Sequence, residues 1–242
     1  GKTTSITLTI ATADPVYTLL TNPSVNVAVS DDDSPNIEIE QSGGSTVVAE
    51  TGTETTDSFT VELTSQPVSD VVLTVSSTDE TVATVSSTDD PDAAIVTLTF
   101  TSLNWNVKQQ VTVTGVDDNV AQGDDGKTTS ITLTIATADP VYTLLTNPSV
   151  NVAVSDDDVA GFLGIPTDTV TVTESGTGAS FTVKLNSQPV SDVELTVSSA
   201  DETVATVSSP STLTFDQLNW STPQEVELEG FDDRIDDPTG KT

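Results

Sequence analysis

Residues 1–33 read GKTTSITLTIATADPVYTLLTNPSVNVAVSDDD, and residues 126–158 repeat this string without a change. Within it, Ile6, Leu8 and Ile10 alternate with Thr, which is the period-two pattern of a strand with one buried face. The identity includes Ser and Thr positions that a fold does not constrain. The string is therefore evidence of tandem duplication, and it indicates that the chain is a segment of a repeat array.

The same alternation recurs along the rest of the chain, for example at Phe59, Val61 and Leu63. Most of the residues between the apolar positions are Thr and Val, whose β-branched side chains suit a half-buried sheet surface. Turn signals such as Gln66-Pro67 and Asn147-Pro148 separate these runs, and no segment has a helical period. The pattern predicts an all-β fold of tandem Ig-like Greek-key β-sandwiches, with about seven strands per module and no helix of note.

A second set of repeats predicts the module boundaries. Ser65–Val71 recurs at 187–193, and Leu103–Trp105 recurs at 218–220, where the two Trp residues are expected to anchor the cores. The expected division has three parts: residues 1–33 are the last third of a preceding module, residues 34–158 are a complete module, and residues 159–242 are the first two-thirds of the next.

Residues 1–33 supply the strands that residues 159–242 lack. We therefore expect the first third of one chain to complete the last two-thirds of a neighbouring copy, head to tail, by strand complementation. The alternative is a window on a longer covalent chain, which implies the same fold geometry.

The charge balance limits the partners of the chain. There are 38 acidic and 6 basic side chains, with a formal net charge of −32, which argues against nucleic acid or an anionic membrane as a partner. Cys, Met and His are absent, so there is no disulfide, imidazole base or soft-metal site. The sequence contains no run of about 18 apolar residues, so it predicts no membrane span. This composition fits a secreted bacterial protein, with adaptation to salt as the alternative reading of the acidity.

The acids gather where predicted strands end, as at Glu50, Asp79, Asp117-Asp118 and Asp156–Asp158. In a Greek-key sandwich, alternate loops meet at one pole, so these carboxylates are expected to converge. Hard oxygen ligands in a loose arrangement suit Ca²⁺, which would relieve their mutual repulsion. The alternative is that each acidic run is a solvated turn.

The motifs Leu-Thr-Phe at 98–100, Leu-Asn-Trp at 103–105 and Gly115–Asp118, followed by Asp156–Asp158, resemble Calx-β and related Ig-like repeats. Such repeats occur in large bacterial cell-surface adhesins of the RTX type, as extender domains, and in the regulatory region of sodium–calcium exchangers.

The resemblance implies Ca²⁺ as the cofactor and assigns its ligands by position. The places of two further family Glu residues hold Gln122 and Asp125 in one copy and Asp237 and Gly240 in the other, which predicts fewer or weaker sites. The full implied set is Glu50, Asp79, Asp117, Asp118, Asp125, Asp156, Asp157 and Asp158 in the complete module, Glu174, Asp201, Asp232, Asp233 and Asp237 in the next, and Asp31, Asp32 and Asp33 in the first segment.

The predicted function is structural: a rigid extender or stalk repeat of a secreted bacterial adhesin, extracellular filament or biofilm protein, stiffened by Ca²⁺ at module junctions. The expected partners are adjacent repeats or other copies of the chain. A carbohydrate- or surface-binding adhesin module is the alternative, although near-identical repeats favour a spacer. An enzyme is not expected, because aromatic residues are only 4% of the chain and no catalytic constellation is apparent.

Overall fold

The computed structural model describes residues 1–88, 94–123 and 126–233. These residues form seventeen strands, and the only helical segments among them are three short 3-10 turns at Tyr17–Leu19, Ser42–Gly44 and Tyr142–Leu144. The predicted all-β fold is confirmed. No helix within the described residues is long and apolar enough to cross a membrane.

Residues 34–158, called here the complete module, form two facing sheets with nine strands. The strands are β3 (Ile37–Gln41), β4 (Thr46–Ala49), β5 (Thr56–Leu63), β6 (Val71–Ser77), β7 (Ala83–Ser86), β8 (Ile95–Phe100), β9 (Gln109–Gly115), β10 (Lys127–Thr137) and β11 (Ser149–Ser155). One sheet has the order β3-β5-β9-β7 and the other β4-β11-β10-β6-β8. All neighbours are antiparallel except β4 and β11, which run parallel.

The strand number exceeds the expected seven partly because the first strand is divided. Gly43 and Gly44 adopt positive φ angles of 64° and 86°, a conformation that favours glycine. This turn lies between β3 in one sheet and β4 in the other, so the chain crosses between the sheets near the start of the complete module.

The alternating residues face the space between the sheets and form one core. Phe59, Val61 and Leu63 of β5 are fully buried, and most inward residues of β6, β8, β9, β10 and β11 are buried as well. Ile135 of β10 is partly buried and packs against this core. Trp105 packs against the edge of this core, and its carbonyl accepts the amide hydrogen of Leu63. The second copy of the duplicated string therefore supplies two core strands, β10 and β11.

Residues 159–233, called here the open module, repeat part of this arrangement. The strands β12 (Phe162–Leu163), β13 (Ala179–Leu185), β17 (Gln224–Gly230) and β15 (Ala205–Ser209) form one sheet, and β14 (Val193–Thr196) and β16 (Thr212–Phe215) form a two-stranded sheet. A smaller core contains Leu213, Phe215 and Val226, with Trp220 packed against it. Within the described residues, no strand lies on the free edge of β14, where β10 and β11 would follow by analogy with the complete module.

The first copy of the string forms an isolated hairpin of β1 (Lys2–Thr7) and β2 (Ser24–Val29). Every residue of these two strands is exposed, and they pair only with each other among the described strands. The hairpin is thus not packed into the core of the complete module that follows it.

Candidate calcium centre

Four chain segments meet at one end of the complete module. β4 and β11 run parallel and end side by side, so Glu50 lies next to Asp156–Asp158, and the amide hydrogen of Glu50 is bonded to the carbonyl of Ser155 at 3.1 Å. Asp117 and Asp118 follow the end of β9, and Lys127 begins β10. The acids predicted at strand ends are brought together because these strands end, or begin, at the same pole.

Gly115 allows the close approach that positions Glu50. A Cβ atom at Gly115 would lie 2.4 Å from the carbonyl oxygen of Ala49, so only glycine lets β9 pass this close to the end of β4. The amide hydrogen of Ala49 is bonded to the carbonyl of Glu54 at 2.8 Å, which closes the turn around Glu50. The next two acids, Asp117 and Asp118, then face Glu50.

The carboxylate oxygens converge in two overlapping groups. One oxygen each from Glu50, Asp117 and Asp157 lie within 4.8 Å of one another, and so do oxygens from Glu50, Asp118 and Asp158. Glu50 belongs to both groups and is only 4% exposed. It is therefore the buried centre of a set of five carboxylates contributed by three segments.

The fourth segment contributes the basic group that the described residues place at this end. Nζ of Lys127 lies 3.1 Å from Oε1 of Glu50 and also donates a hydrogen bond to Asp118. Burial lowers the pKa of Lys127, but the hydrogen bonds to Asp118 and Glu50 outweigh it and raise the pKa above its usual value. Lys127 thus remains charged at neutral pH and neutralises part of the acidic cluster.

One ammonium group does not compensate the whole cluster. Burial raises the pKa of Glu50, and the negative charges of Asp118 and Asp156 add to that effect, against the opposing influence of Lys127. Burial also raises the pKa of Asp158, together with the charges of its acidic neighbours. By contrast, hydrogen bonds from Lys127, Val120 and Gln122 lower the pKa of Asp118 despite its burial. Further positive charge at Glu50 and Asp158 would therefore be favourable.

Three buried oxygens at this end have no hydrogen-bond partner among the described residues: Oε2 of Glu50, Oδ2 of Asp158 and Oε1 of Gln122. A buried polar atom without a partner normally costs free energy, on the order of 1–3 kcal/mol. All three are hard oxygen ligands of the kind that Ca²⁺ accepts in flexible geometry. The donor set therefore fits a calcium ion.

Asp156 braces the site. Its Oδ2 accepts the amide hydrogen of Gln122 at 2.5 Å, and its Oδ1 accepts that of Asp158 at 3.0 Å. Asp118 contributes an oxygen to the carboxylate cluster and also stabilises its own loop, because its Oδ1 accepts the amide hydrogen of Val120 at 2.8 Å. The hydrogen bond from Gln122 to Asp156 therefore connects the two loops that carry the acids.

The other predicted ligands of the described residues lie outside these two groups. Asp79 and Asp201 each cap a turn, accepting the backbone and side-chain hydrogen bonds of Thr81 and Thr203, respectively. Asp31, Asp32 and Asp33 are exposed beyond β2. Glu174, Asp232 and Asp233 do not form a converging group among the described residues. Asp125 and Asp237 lie outside the described residues.

Glu174 nevertheless occupies the position that corresponds to Glu50. A Cβ atom at Gly230 would lie 2.6 Å from the carbonyl oxygen of Thr173, as one at Gly115 would lie close to Ala49. The open module thus repeats the close approach that precedes the acidic residue, while β10, β11 and their acidic run have no counterpart among its described residues.

Lys127 was not among the residues predicted from the sequence to belong to the site. The available signal was its rarity: it is one of six basic residues in the chain and lies close in sequence to acidic turns. The importance of Gln122 was also underestimated, because the departure from an acidic residue was interpreted only as a weaker site.

No protein-family model matches the chain, and no curated protein matches it. Among solved structures, it is similar to domains 4 and 5 of the S-layer protein SbsC, with 20% identity, a TM-score of 0.32, and coverage of 56% of this chain and 53% of that chain. It is also similar to the calcium binding domain CBD12 of CALX1.1, with 19% identity, a TM-score of 0.34, and coverage of 78% and 74%, respectively.

A third similar structure is the CooA pilin subunit from enterotoxigenic Escherichia coli, with 15% identity, a TM-score of 0.28, and coverage of 50% of this chain and 96% of that chain. The chain spans about half the length of the SbsC fragment of domains 4 and 5, at 53%. These TM-scores are low, so none of the similarities carries an argument about what this chain does.

Proposed function

We propose that the chain is a structural extender repeat of a secreted cell-surface adhesin or extracellular fibre, stiffened by Ca²⁺ at the end of each module. The observation that carries this proposal is the pair of buried, unpartnered carboxylate oxygens, Oε2 of Glu50 and Oδ2 of Asp158. They lie in an acidic cluster whose ammonium partner among the described residues is Lys127.

Calcium is favoured over other metal ions by the chemistry of the donors. The cluster offers carboxylate oxygens and the amide oxygen of Gln122, whereas the chain has no His or Cys to select a transition metal. Mg²⁺ requires a stricter octahedral arrangement and gives up its water reluctantly. Several carboxylates in a loose arrangement therefore fit Ca²⁺ better.

The position of the cluster connects the ion to mechanical function. Asp156–Asp158 lead directly from β11 into the open module, and the carbonyl of Asn119 accepts the amide hydrogen of Gln188 at 2.6 Å across that junction. An ion that holds both the Asp117 loop and the Asp156 loop would restrict movement between the two modules. In a repeat array, such restriction gives length and reach.

Calorimetric titration with Ca²⁺, compared with Mg²⁺, tests the site. We expect Glu50→Gln, which keeps the shape of the side chain and removes the charge, to weaken Ca²⁺ binding at least tenfold. Asp70→Asn is the matched control, because Asp70 is an exposed acid next to β6 at the opposite end of the module. At a free Ca²⁺ concentration of 100 times the dissociation constant, the free energy of unfolding should rise by about 2.7 kcal/mol.

Small-angle scattering with Ca²⁺ and with a chelator tests the stiffening. Ca²⁺ should increase the maximum dimension and narrow the distribution of conformations in the wild type and in Asp70→Asn, but not in Glu50→Gln. If the wild type binds Ca²⁺ yet keeps the same dimension and thermal midpoint in chelator, the ion is not the stiffener.

A further inference from the structure

We infer that the hairpin β1–β2 of one chain docks on the free edge of β14 in a second copy of this chain and completes the open module. This docking rests on apolar surface and does not require calcium. The structure contains the same hairpin sequence in two environments, so the docked form can be derived from the complete module.

The two strands of the hairpin pair in the same register in both copies of the string. β1 and β2 pair from Lys2 with Val29 to Thr7 with Ser24, and β10 and β11 pair in the same register from Lys127 with Val154 to Thr132 with Ser149. Docking would therefore leave the pairing between β1 and β2 unchanged and would extend β1 beyond Thr7, as β10 extends to Thr137.

The inward-facing residues of the two copies differ in burial. Leu8 and Tyr17 are 54% and 58% exposed, whereas the corresponding Leu133 and Tyr142 are 0% exposed. The remaining inward positions, Ile6, Val25, Val27 and Val29, are exposed in the same way. A hairpin with this much apolar surface is at most marginally stable alone, and it gains about 25 cal/mol for each Å² that docking buries.

The open module has the complementary surface. Val193, Leu195 and Val197 correspond to Val71, Leu73 and Val75, which are fully buried in the complete module, where β10 pairs alongside β6. In the open module all three are only partly buried, and β14 has a strand partner on one side only among the described residues. A free strand edge beside a half-covered core is a template for an added strand.

The complete module specifies the register of docking. β10 pairs with β6 so that Leu133 lies opposite Val75 and Ile135 lies opposite Leu73. The corresponding intermolecular pairs are Leu8 with Val197 and Ile10 with Leu195. Both pairs place an apolar residue over the partly covered core.

Polar contacts at the end of the hairpin that carries Asp14 and Tyr17 would stabilise this register. In the complete module, the buried carboxylate of Asp139 accepts the amide hydrogens of Val68 at 2.7 Å and Ser69 at 3.3 Å. The hydroxyl of Tyr142 donates to the carbonyl of Ser65 at 2.7 Å. The same residues recur as Asp14 and Tyr17 on the hairpin and as Ser187, Val190 and Ser191 on the open module.

Half of that contact is preformed. Oδ1 of Asp14 already accepts the amide hydrogen of Val16 at 2.8 Å, as Oδ1 of Asp139 accepts that of Val141 at 3.0 Å. The turn therefore has its docked shape while its side chains are still exposed.

The hairpin does not reach the open module of its own chain, because the two lie at opposite ends of the complete module. Lys2 and Val29 line a pocket with Ser65 and Val141, close to where β6 begins. The junction with the open module lies at the Glu50 end, where β10 begins. The eleven residues of β10 separate the two ends by roughly 33 Å. Such a contact is heterologous, so it propagates head to tail.

Docking would also bring Lys2 and Asp31–Asp33 close to Glu174, Asp232 and Asp233. In the complete module, the corresponding residues Lys127 and Asp156–Asp158 lie beside Glu50, Asp117 and Asp118. A second calcium site would then be divided between two chains. This consequence, unlike the docking itself, rests on the proposed function.

Sedimentation of the full chain over a range of concentrations, with Ca²⁺ and with chelator, tests the inference. We expect wild-type masses to rise with concentration in multiples of 25.1 kDa. Leu8→Asp should abolish this rise and leave a monomer. Leu19→Asp is the matched control on the same hairpin, because Leu19 is 83% exposed and its counterpart Leu144 stays 80% exposed in the docked environment.

A monomeric wild type at all soluble concentrations, or equal assembly by Leu8→Asp and wild type, would overturn the inference. If the wild type assembles in chelator and Leu8→Asp does not, docking is supported even where calcium binding fails. The two proposals can therefore fail separately. Circular dichroism checks that each variant retains its β structure.

Engineered disulfides test the register, since the chain has no Cys of its own. Leu8→Cys combined with Val197→Cys should give covalent multimers on a non-reducing gel. Thr7→Cys combined with Val197→Cys is the control, because Thr7 faces the opposite side of the strand. Equal cross-linking by both pairs would contradict the derived register.

Discussion

At the residue scale, the duplicated string provides pairs of residues with the same sequence neighbours and different surroundings. Tyr142 and Asp139 are buried at 0% exposure, whereas Tyr17 and Asp14 are exposed. Any difference between the effects of one substitution at the two copies therefore reports tertiary contacts, since local propensities cancel.

Tyr142→Phe should lower the free energy of unfolding by about 1–2 kcal/mol, because it removes a buried hydroxyl that bonds to Ser65. Tyr17→Phe should change it by less than about 0.5 kcal/mol, as expected for an exposed position. Urea denaturation of dilute, monomeric protein measures both. Equal effects at the two positions would show that the buried contact with Ser65 contributes nothing specific.

Asp139 should make stability depend on pH below the usual range of an aspartate. Burial raises its pKa, but hydrogen bonds from the backbone of Val141, Val68, Tyr142 and Ser69 outweigh this and lower the pKa from 3.8. With a folded pKa below the unfolded one, the stabilisation is fully present above about pH 3.8 and is lost as the pH falls through the folded pKa.

We therefore expect Asp139→Asn to lower the free energy of unfolding by about 1–3 kcal/mol near neutral pH, since hydrogen bonds to a charged group are lost. The difference from wild type should shrink as the pH falls below 3.8. Asp14→Asn is the exposed counterpart and should show a much smaller difference in dilute solution. Denaturation curves at several pH values measure this, and a pH-independent difference would assign the effect to shape instead of charge.

At the element scale, the meeting of strand ends decides whether the acidic residues form a site. β9 passes close beside the end of β4 at Gly115, and this approach places Asp117 and Asp118 near Glu50. The parallel pairing of β4 with β11 places Asp157 and Asp158 on the other side. Acidic turns without such neighbours, such as the one at Asp79, stay simple turns.

Gly115→Ala should therefore affect both stability and metal binding. The new methyl group would meet the backbone of Ala49, which does not move as a flexible side chain would, so we expect a loss of about 1–3 kcal/mol. Ca²⁺ affinity should fall as well, because Glu50 adjoins the displaced backbone. Gly161→Ala is the control, since a Cβ there would meet only Asn186, at an ordinary 3.8 Å. Unchanged Ca²⁺ affinity in Gly115→Ala would show that the cluster tolerates a wider spacing.

At the scale of the whole molecule, the chain contains two modules with unequal cores. The complete module has both sheets covered, whereas among the described residues β14 of the open module has a strand on one side only and a partly exposed core face. Unequal burial of apolar surface gives unequal stability. The two modules need not unfold together.

We expect two thermal transitions in dilute solution, the lower one belonging to the open module. The chain has two Trp residues, with Trp105 packed on the first core and Trp220 on the second. In Trp220→Phe the fluorescence comes from Trp105 and should follow the higher transition. In Trp105→Phe it comes from Trp220 and should follow the lower one. If docking occurs, only the lower transition should rise with protein concentration. One coincident transition for both probes would mean that the modules unfold as a unit.

The sequence by itself determined the turns and the pairing register within each copy of the hairpin, because these depend on side-chain alternation and local turn chemistry. It also determined that acids follow strand ends. The length of the first strand was decided by its neighbour, since β10 reaches Thr137 alongside β6 whereas β1 ends at Thr7. The tertiary structure decided which copy of the string is buried and which acids meet, because burial and convergence depend on neighbours distant in the chain. Leu8 and Leu133 have the same local sequence, and only the presence of β6 and the facing sheet makes one of them core.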